Sequence, residues 1–424
     1  MGQQENIKKN VIWNTCGSVF YSVCQWLLTA IVIRGASYEA GGVLSLAMTT
    51  SSSFSAISLF SMRNYQVSDL KGEYSSNEYV GSRMMTCIAA FTCCAIAAIY
   101  NNSWEQMLCI DAFMLVRVAE GWVDVMHGID QKYQRYDYIG KSYFLRGLIS
   151  LIVFSGGLFF TGNLLLTLCL MALGNLAAAL FYDTKKTGSL ERITPVLFQA
   201  RVFQLLKTCL PIVAFTFLLS LENLIPKKIL EEQYGQAELG IYSAMANLAV
   251  VVQVFASVVF NPFLPKFTEL YYQEDRRQFR RALHKLYLVL AGMCVIVNLG
   301  VFVFGKLGLR ILYGADILQY YELFLPIVWC TIFTAVIWIV SAILIALRRI
   351  GWLVAGMAVD FVLCLVLASP LIERFGKNGV SIVQILVMGI YILFMIVMCE
   401  IAANKQKRKK ASGKDEEINN NTCL

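Results

Sequence analysis

Between residues 11 and 402 long apolar runs alternate with short polar breaks, and no run shows the two-residue alternation of an outer-membrane barrel strand. Apolar windows of about 20 residues, the length that crosses a bilayer as helix, fall at 11–33, 41–62, 84–100, 104–126, 143–161, 163–182, 204–225, 239–262, 284–304, 322–346, 350–371 and 379–402. The pattern predicts twelve transmembrane helices joined by short loops, with no soluble domain between them. The end of the chain, "NKQKRKKASGKDEEINNNTCL", is polar and aperiodic, which predicts an unstructured tail over 403–424.

Composition agrees with the pattern. The 424 residues are 58% hydrophobic and only 15% charged, against about 25% charged in a soluble domain, so the fold class is an all-α polytopic membrane protein. An even helix count puts both termini on one face, and 27 of the 36 Lys and Arg residues fall on that face. By the positive-inside rule it is cytoplasmic. The formal charge of +8 is then orientation signal and contact with membrane lipids, which leaves no case for a nucleic-acid partner. The start "MGQQENIKKN" leads into an apolar helix without a cleavage site, so the first helix is retained. Most of the 13 cysteines sit in apolar helices, where a thiol behaves as a small hydrophobe. No Cys-x-x-Cys or Cys/His spacing suggests a metal. With two histidines and no acid, base or nucleophile set on a long outer loop, the chain reads as a non-enzyme with no catalytic residues and no cofactor.

Polar residues inside the helices change the picture, because an ionisable group at membrane depth is costly unless paired or beside water. At 100° per residue, Arg117, Glu120, Asp124, His127 and Gln131 share an arc of about 80° on helix four. Arg117 and Glu120 are an i,i+3 pair, and Asp124 leaves one surplus carboxylate that Arg146 on helix five balances. Two readings stay open: the stripe locks helix four against helix five, or it faces a lumen and serves substrate passage or proton- or sodium-coupling. The four groups sum to zero, a poor trap for pyrophosphate, which favours excess arginine; Arg34 and Arg63 are candidate supplements or interfacial anchors. Asp111 lies off the stripe, and with Glu222 and Asp360 it forms the set of ion-coupling candidates. The basic face of "EDRRQFRRALHK" reads as a headgroup-binding interfacial helix.

Displacing the chain by 198 residues brings Gly42 onto Gly240, Ser45 onto Ser243, Tyr65 onto Phe263 and Arg83 onto Arg281. This suggests parallel repeats: a six-helix lobe over 1–182, a cytoplasmic connector over 183–201 and a second six-helix lobe over 202–402. Ends of helices one, two, seven and eight, with Arg34, Glu39, Lys228, Glu231 and Glu232, read as an exposed outer gate.

The two six-helix lobes, the "RNYQVSD" exit of helix two, the "GIYSAM" start and "NPFLPKF" exit of helix eight, and the run through "GIDQKYQRYDYIGKS" resemble the polysaccharide-transport branch of the multidrug/oligosaccharidyl-lipid/polysaccharide (MOP) exporter superfamily, most nearly its Wzx-type flippases. The resemblance implies a central cavity between the lobes. It also implies a transporter in the bacterial cytoplasmic membrane that moves an undecaprenyl-pyrophosphate-linked oligosaccharide by alternating access for surface polysaccharide biosynthesis, alongside glycosyltransferases and a polymerase. The alternative within the superfamily is a cation-coupled multidrug antiporter.

Overall fold

The computed structural model of the chain describes residues 2–69, 72–260, 270, 276–347 and 349–420. The "NPFLPKF" exit lies outside the described residues, as do the side chains of Arg276 and of residues 403–420. Among the described residues no strand occurs. The helices are α1 (Gly2–Gly35), α2 (Tyr38–Leu59), α3 (Met62–Ser68), α4 (Ser76–Ala98), α5 (Trp104–Lys132), α6 (Tyr136–Thr161), α7 (Leu164–Ala178), α8 (Lys185–Gly188), α9 (Ala200–Tyr234), α10 (Gln236–Phe260), α11 (Arg276–Tyr313), α12 (Phe324–Ala346), α13 (Ile350–Phe375) and α14 (Lys377–Asn420).

Ten of these segments are long and apolar enough to cross a membrane. The two remaining long helices, α5 and α10, stand where helices four and eight are expected. In α5, Glu105, Asp111, Arg117, Glu120, Asp124 and Asp130 make the composition too charged to qualify. Polar N-caps start several helices. Ser75 and Glu78 form a reciprocal capping box on α4, and Ser103 and Gln106 form another on α5. Phe60 and Ser61 adopt the left-handed region and end α2 earlier than the apolar window suggests. The short α3 that follows therefore carries Arg63 at a new angle. Its C-terminal Asp69 accepts hydrogen bonds from the Glu73 and Tyr74 amides at 2.9 and 3.0 Å. Burial opposes its charge, but these N–H donors outweigh that and hold the carboxyl below its usual range.

The chain forms two compact units, Met1–Ala244 and Met245–Leu424. In the first, α5 is central and packs against α2, α4, α6 and α7, while α1 lies along α6. Gly17 faces the backbone carbonyl of Gly140, and Gly140 faces that of Trp13, so α1 and α6 approach more closely than any side chain would permit. α7 continues as a π-helical turn, Ala179–Thr184, and then α8, so the stretch expected to connect the lobes begins as helix. Its extended part, near Thr194 and Val196, bonds to Asn77 at the start of α4. In the second unit α14 packs on α12 and α13. The α14 backbone runs helically to Asn420, into the segment whose polarity suggested an unstructured tail; its Lys, Gln and Ala residues are good helix formers.

Candidate functional site

The charged stripe of α5 keeps access to open space while the rest of that half-helix is sealed. From Ala119 to Asp130 only Glu120, Trp122 and Asp124 are not fully buried. Glu120 accepts from Arg117 at 2.6 Å and from the Tyr21 hydroxyl of α1, and the Arg146 guanidinium of α6 lies 3.8 Å away. Arg146 also donates to the Tyr21 oxygen at 3.4 Å and lies over its ring. Arg117 is held on its other side by Ser52 of α2 at 2.9 Å.

One turn along α5, Asp124 is gripped by two arginines. Arg83 of α4 reaches it at 2.8 Å and Arg63 of α3 at 3.4 Å. Arg83 is fully buried and spends its other nitrogen on the Ser58 carbonyl at 2.7 Å, while Arg63 donates to Gln131 at 3.3 Å. The four stripe residues are therefore not one closed unit. They divide into Arg117–Glu120–Arg146 and a separate Arg63–Asp124–Arg83 group, and the stripe carries four arginines against two carboxylates. The expected neutral balance becomes a surplus of two positive charges, set among the hydroxyls of Tyr21 and Ser52.

Arg83 and Tyr21 are the residues that sequence reasoning missed. Arg83 stands one residue before the apolar window at 84, so hydropathy alone leaves it outside the helix; the Ser75-x-x-Glu78 cap places it two turns inside α4. Tyr21 carried no signal, since its role depends on the α1–α6 crossing. His127 leaves the open face altogether and is buried against Asp183. Asp111, half-buried on α5, lies about 9 Å along the axis from Arg117 and joins neither group. Arg34 is exposed at the end of α1, about 20 Å of helical rise from Tyr21, so the structure does not bring it to the stripe. Glu222 of α9 and Asp360 of α13 are buried in separate units.

Elsewhere in the first unit α2 crosses the start of α10. Ser45 and Ser243, the pair related by the 198-residue displacement, meet hydroxyl to hydroxyl at 2.5 Å. Gly42 faces the carbonyl of Gln236 and Gly240 that of Tyr38, so the two contacts are related by the same 198-residue displacement. This is the self-complementary pattern of a two-fold interface. Beside it Lys228 of α9 donates to the Asn101 carbonyl at 2.7 Å, Asn102 at 2.8 Å and Glu231 at 2.8 Å, and Glu231 accepts from Gln106 at 2.7 Å. Because a Cβ at either glycine would strike backbone, Gly42→Ala and Gly240→Ala are each expected to loosen the crossing. The check is a several-fold faster reaction of a cysteine at position 45 with a water-soluble maleimide; an unchanged rate would show that the crossing tolerates the methyl.

No protein-family model matches the chain. A curated relative, the capsular polysaccharide biosynthesis protein CapF of Staphylococcus aureus, is 25% identical over 315 residues, covering 73% of this chain and 78% of the relative. Among solved structures, a lipid II flippase MurJ in an inward closed conformation matches with TM-score 0.70 at 11% identity over 93% of this chain and 90% of that one. An inward-facing multidrug resistance MATE family transporter of the MOP superfamily matches with TM-score 0.66 at 10% identity, covering 94% and 99%. The fold is that of the MATE transporters and MurJ. An outward-facing MATE structure also matches over most of both chains, with TM-score 0.54. At these identities the likeness is one of fold.

Proposed function

We propose that the chain is a flippase that moves an undecaprenyl-pyrophosphate-linked oligosaccharide across the bacterial cytoplasmic membrane for surface polysaccharide biosynthesis, alternating access between two six-helix lobes over 1–182 and 202–402. The observation that carries this reading is the surplus of two arginines on the open side of α5, with Arg63 and Arg117 each about one-fifth exposed and backed by the buried Arg83 and Arg146. Guanidinium groups bind phosphate oxygens in a fork, and the surplus stays available after Glu120 and Asp124 are neutralised. Hydroxyls of Ser52 and Tyr21 suit the sugar adjoining a pyrophosphate. The capsule relative supports a polysaccharide pathway, and the MurJ likeness supports a fold able to pass a lipid-linked glycan. Glycosyltransferases and a polymerase are the expected partners in such a pathway.

The MATE likeness supports the rival reading, a cation-coupled multidrug antiporter, in which Asp111, Glu222 or Asp360 carries the ion. A drug cation, however, is repelled by a stripe with net positive charge. The decisive test reconstitutes the full chain in vesicles holding a fluorescent undecaprenyl-pyrophosphate glycan. Arg63→Gln is expected to lower its flipping at least tenfold with the fold intact. Flipping at the protein-free rate, together with extrusion of cationic dyes, would establish the antiporter instead. Orientation has its own check: single cysteines at Asn101 and Ser189 are expected to react from the outside and the inside of whole cells, respectively. The opposite labelling would invert the chain in the membrane.

A further inference from the structure

Below the arginine stripe lies a second polar cluster that the flippase reading does not use. His127 and Asp130 of α5 and Asp183 of the π-helical turn are each buried to within 2% of full. His127 Nε2 lies 3.4 Å from Asp183 Oδ1, and the His127 ring meets Tyr143 edge-on at 5.1 Å. Asp130 accepts from Thr187 at 3.0 Å. Trp122 donates to Thr184 at 2.8 Å, and Thr184 to the Ala179 carbonyl at 2.9 Å. These bonds hold the π turn, a distortion often kept at functional positions, and the turn carries Asp183 inward.

Asp183 Oδ2 has no hydrogen-bond partner, and no Lys or Arg among the described residues forms an ion pair with Asp183 or Asp130. The charged and titratable groups facing the cluster are Arg63 from α3, Tyr143, Arg146 and Asp137 from α6, Arg135 from the turn before it, and Tyr182 from the π turn. Two ionised carboxylates sealed beside a neutral imidazole would carry minus two, with the guanidinium groups of Arg63, Arg146 and Arg135 facing them but none within ion-pair distance, so a proton on the cluster lowers the cost of burying it. No three His, Cys, Asp or Glu side chains among the described residues are arranged to hold a metal. The cation that fits is a proton.

We propose that His127, Asp183 and Asp130 form a proton-binding site coupled to the α2–α10 crossing. The proton comes from water at the α5 end marked by the half-buried Gln131 and exposed Lys132. It adds to a carboxylate oxygen or the free imidazole nitrogen, and it returns to water by the same bond breaking. The coupling half rests on the flippase reading; the binding half does not. The route between the sites is α5 itself, on which His127 stands three residues from Asp124, while Gln106 at its far end holds the gate residue Glu231.

The chain has only two histidines, so the test is direct. In the His284→Gln full-length protein labelled with 15N-histidine, the His127 ring is expected to titrate with pH. The midpoint should move by about one pH unit, a tenfold change in proton affinity, in Asp183→Asn and again when a Ser45→Cys/Ser243→Cys disulfide locks the crossing. Asp130→Asn serves as a second variant where Asp183→Asn fails to fold. A ring that does not titrate, or whose midpoint ignores both carboxylates, overturns the site; one that answers to the carboxylates but not to the lock overturns the coupling. Absence of glycan flipping by the unlocked protein, with both shifts present, would instead count against the flippase reading.

Discussion

Replacing Asp124 by alanine is expected to cost about 3–5 kcal/mol of folded-state stability, because removing one partner of a buried ion pair strands the other. The stranded group is Arg83, whose side chain is fully buried and, among the described residues, pairs with no carboxylate but Asp124. Its Ser58 bond satisfies one nitrogen and leaves the charge uncompensated. Thermal unfolding of the detergent-solubilised protein would read this as a large drop in midpoint with loss of membrane yield. Arg83→Met/Asp124→Leu, which removes both charges, is expected to recover much of the stability but not export, since Arg63 then lacks its orienting carboxylate. A stable Asp124→Ala protein would mean that water reaches Arg83 and that the group is not sealed. At Glu120 the geometry also decides against a simple charge exchange. Arg117→Glu/Glu120→Arg restores the i,i+3 pair but puts a guanidinium beside Arg146, now 3.8 Å from the Glu120 carboxylate. The double variant is expected to fold no better than Arg117→Glu alone.

Oxidising a Ser45→Cys/Ser243→Cys protein is expected to abolish transport and reduction to restore it. The two hydroxyl oxygens are 2.5 Å apart, so thiols at these positions start near the S–S distance of about 2.05 Å and need little backbone movement. A covalent bond across α2 and α10 cannot be opened by thermal motion, whereas the native contact is one hydroxyl pair worth about 1 kcal/mol, with Lys228 contributing partly exposed pairs worth about 0–1 kcal/mol each. If the crossing is the gate of the proposed flippase, contacts this weak let it part in every cycle. The assay needs a background without the native cysteines, several of which are exposed, as Cys16, Cys93 and Cys169 are. Full transport with complete cross-linking would show that α2 and α10 do not separate at this point. The more distant pair at 36 and 234, exposed at the same end, is expected to behave alike with a flexible linker.

Much of this was written in the sequence. Apolar windows near the bilayer length determine helices, because in lipid the backbone must satisfy its own hydrogen bonds and helix is the local way to do so; ten segments meet that requirement directly. The charges on α5 were equally legible, since a polar stripe at helical spacing shows wherever the neighbours are apolar. The 198-residue displacement made Ser45 and Ser243 equivalent positions of two repeats, and only the structure shows that they touch. What the tertiary structure alone decided is who partners whom across helices. Arg83 and Arg63 converge on Asp124 because the α2–α3 break turns Arg63 back and the α4 cap lengthens that helix by two turns. Tyr21 reaches Glu120 because two glycines let α1 lie against α6. His127 and Asp183 meet because a π turn rotates one helix end. Pairing between segments tens of residues apart depends on crossing angles and local irregularities of the backbone, and neither leaves a periodic trace along a single chain.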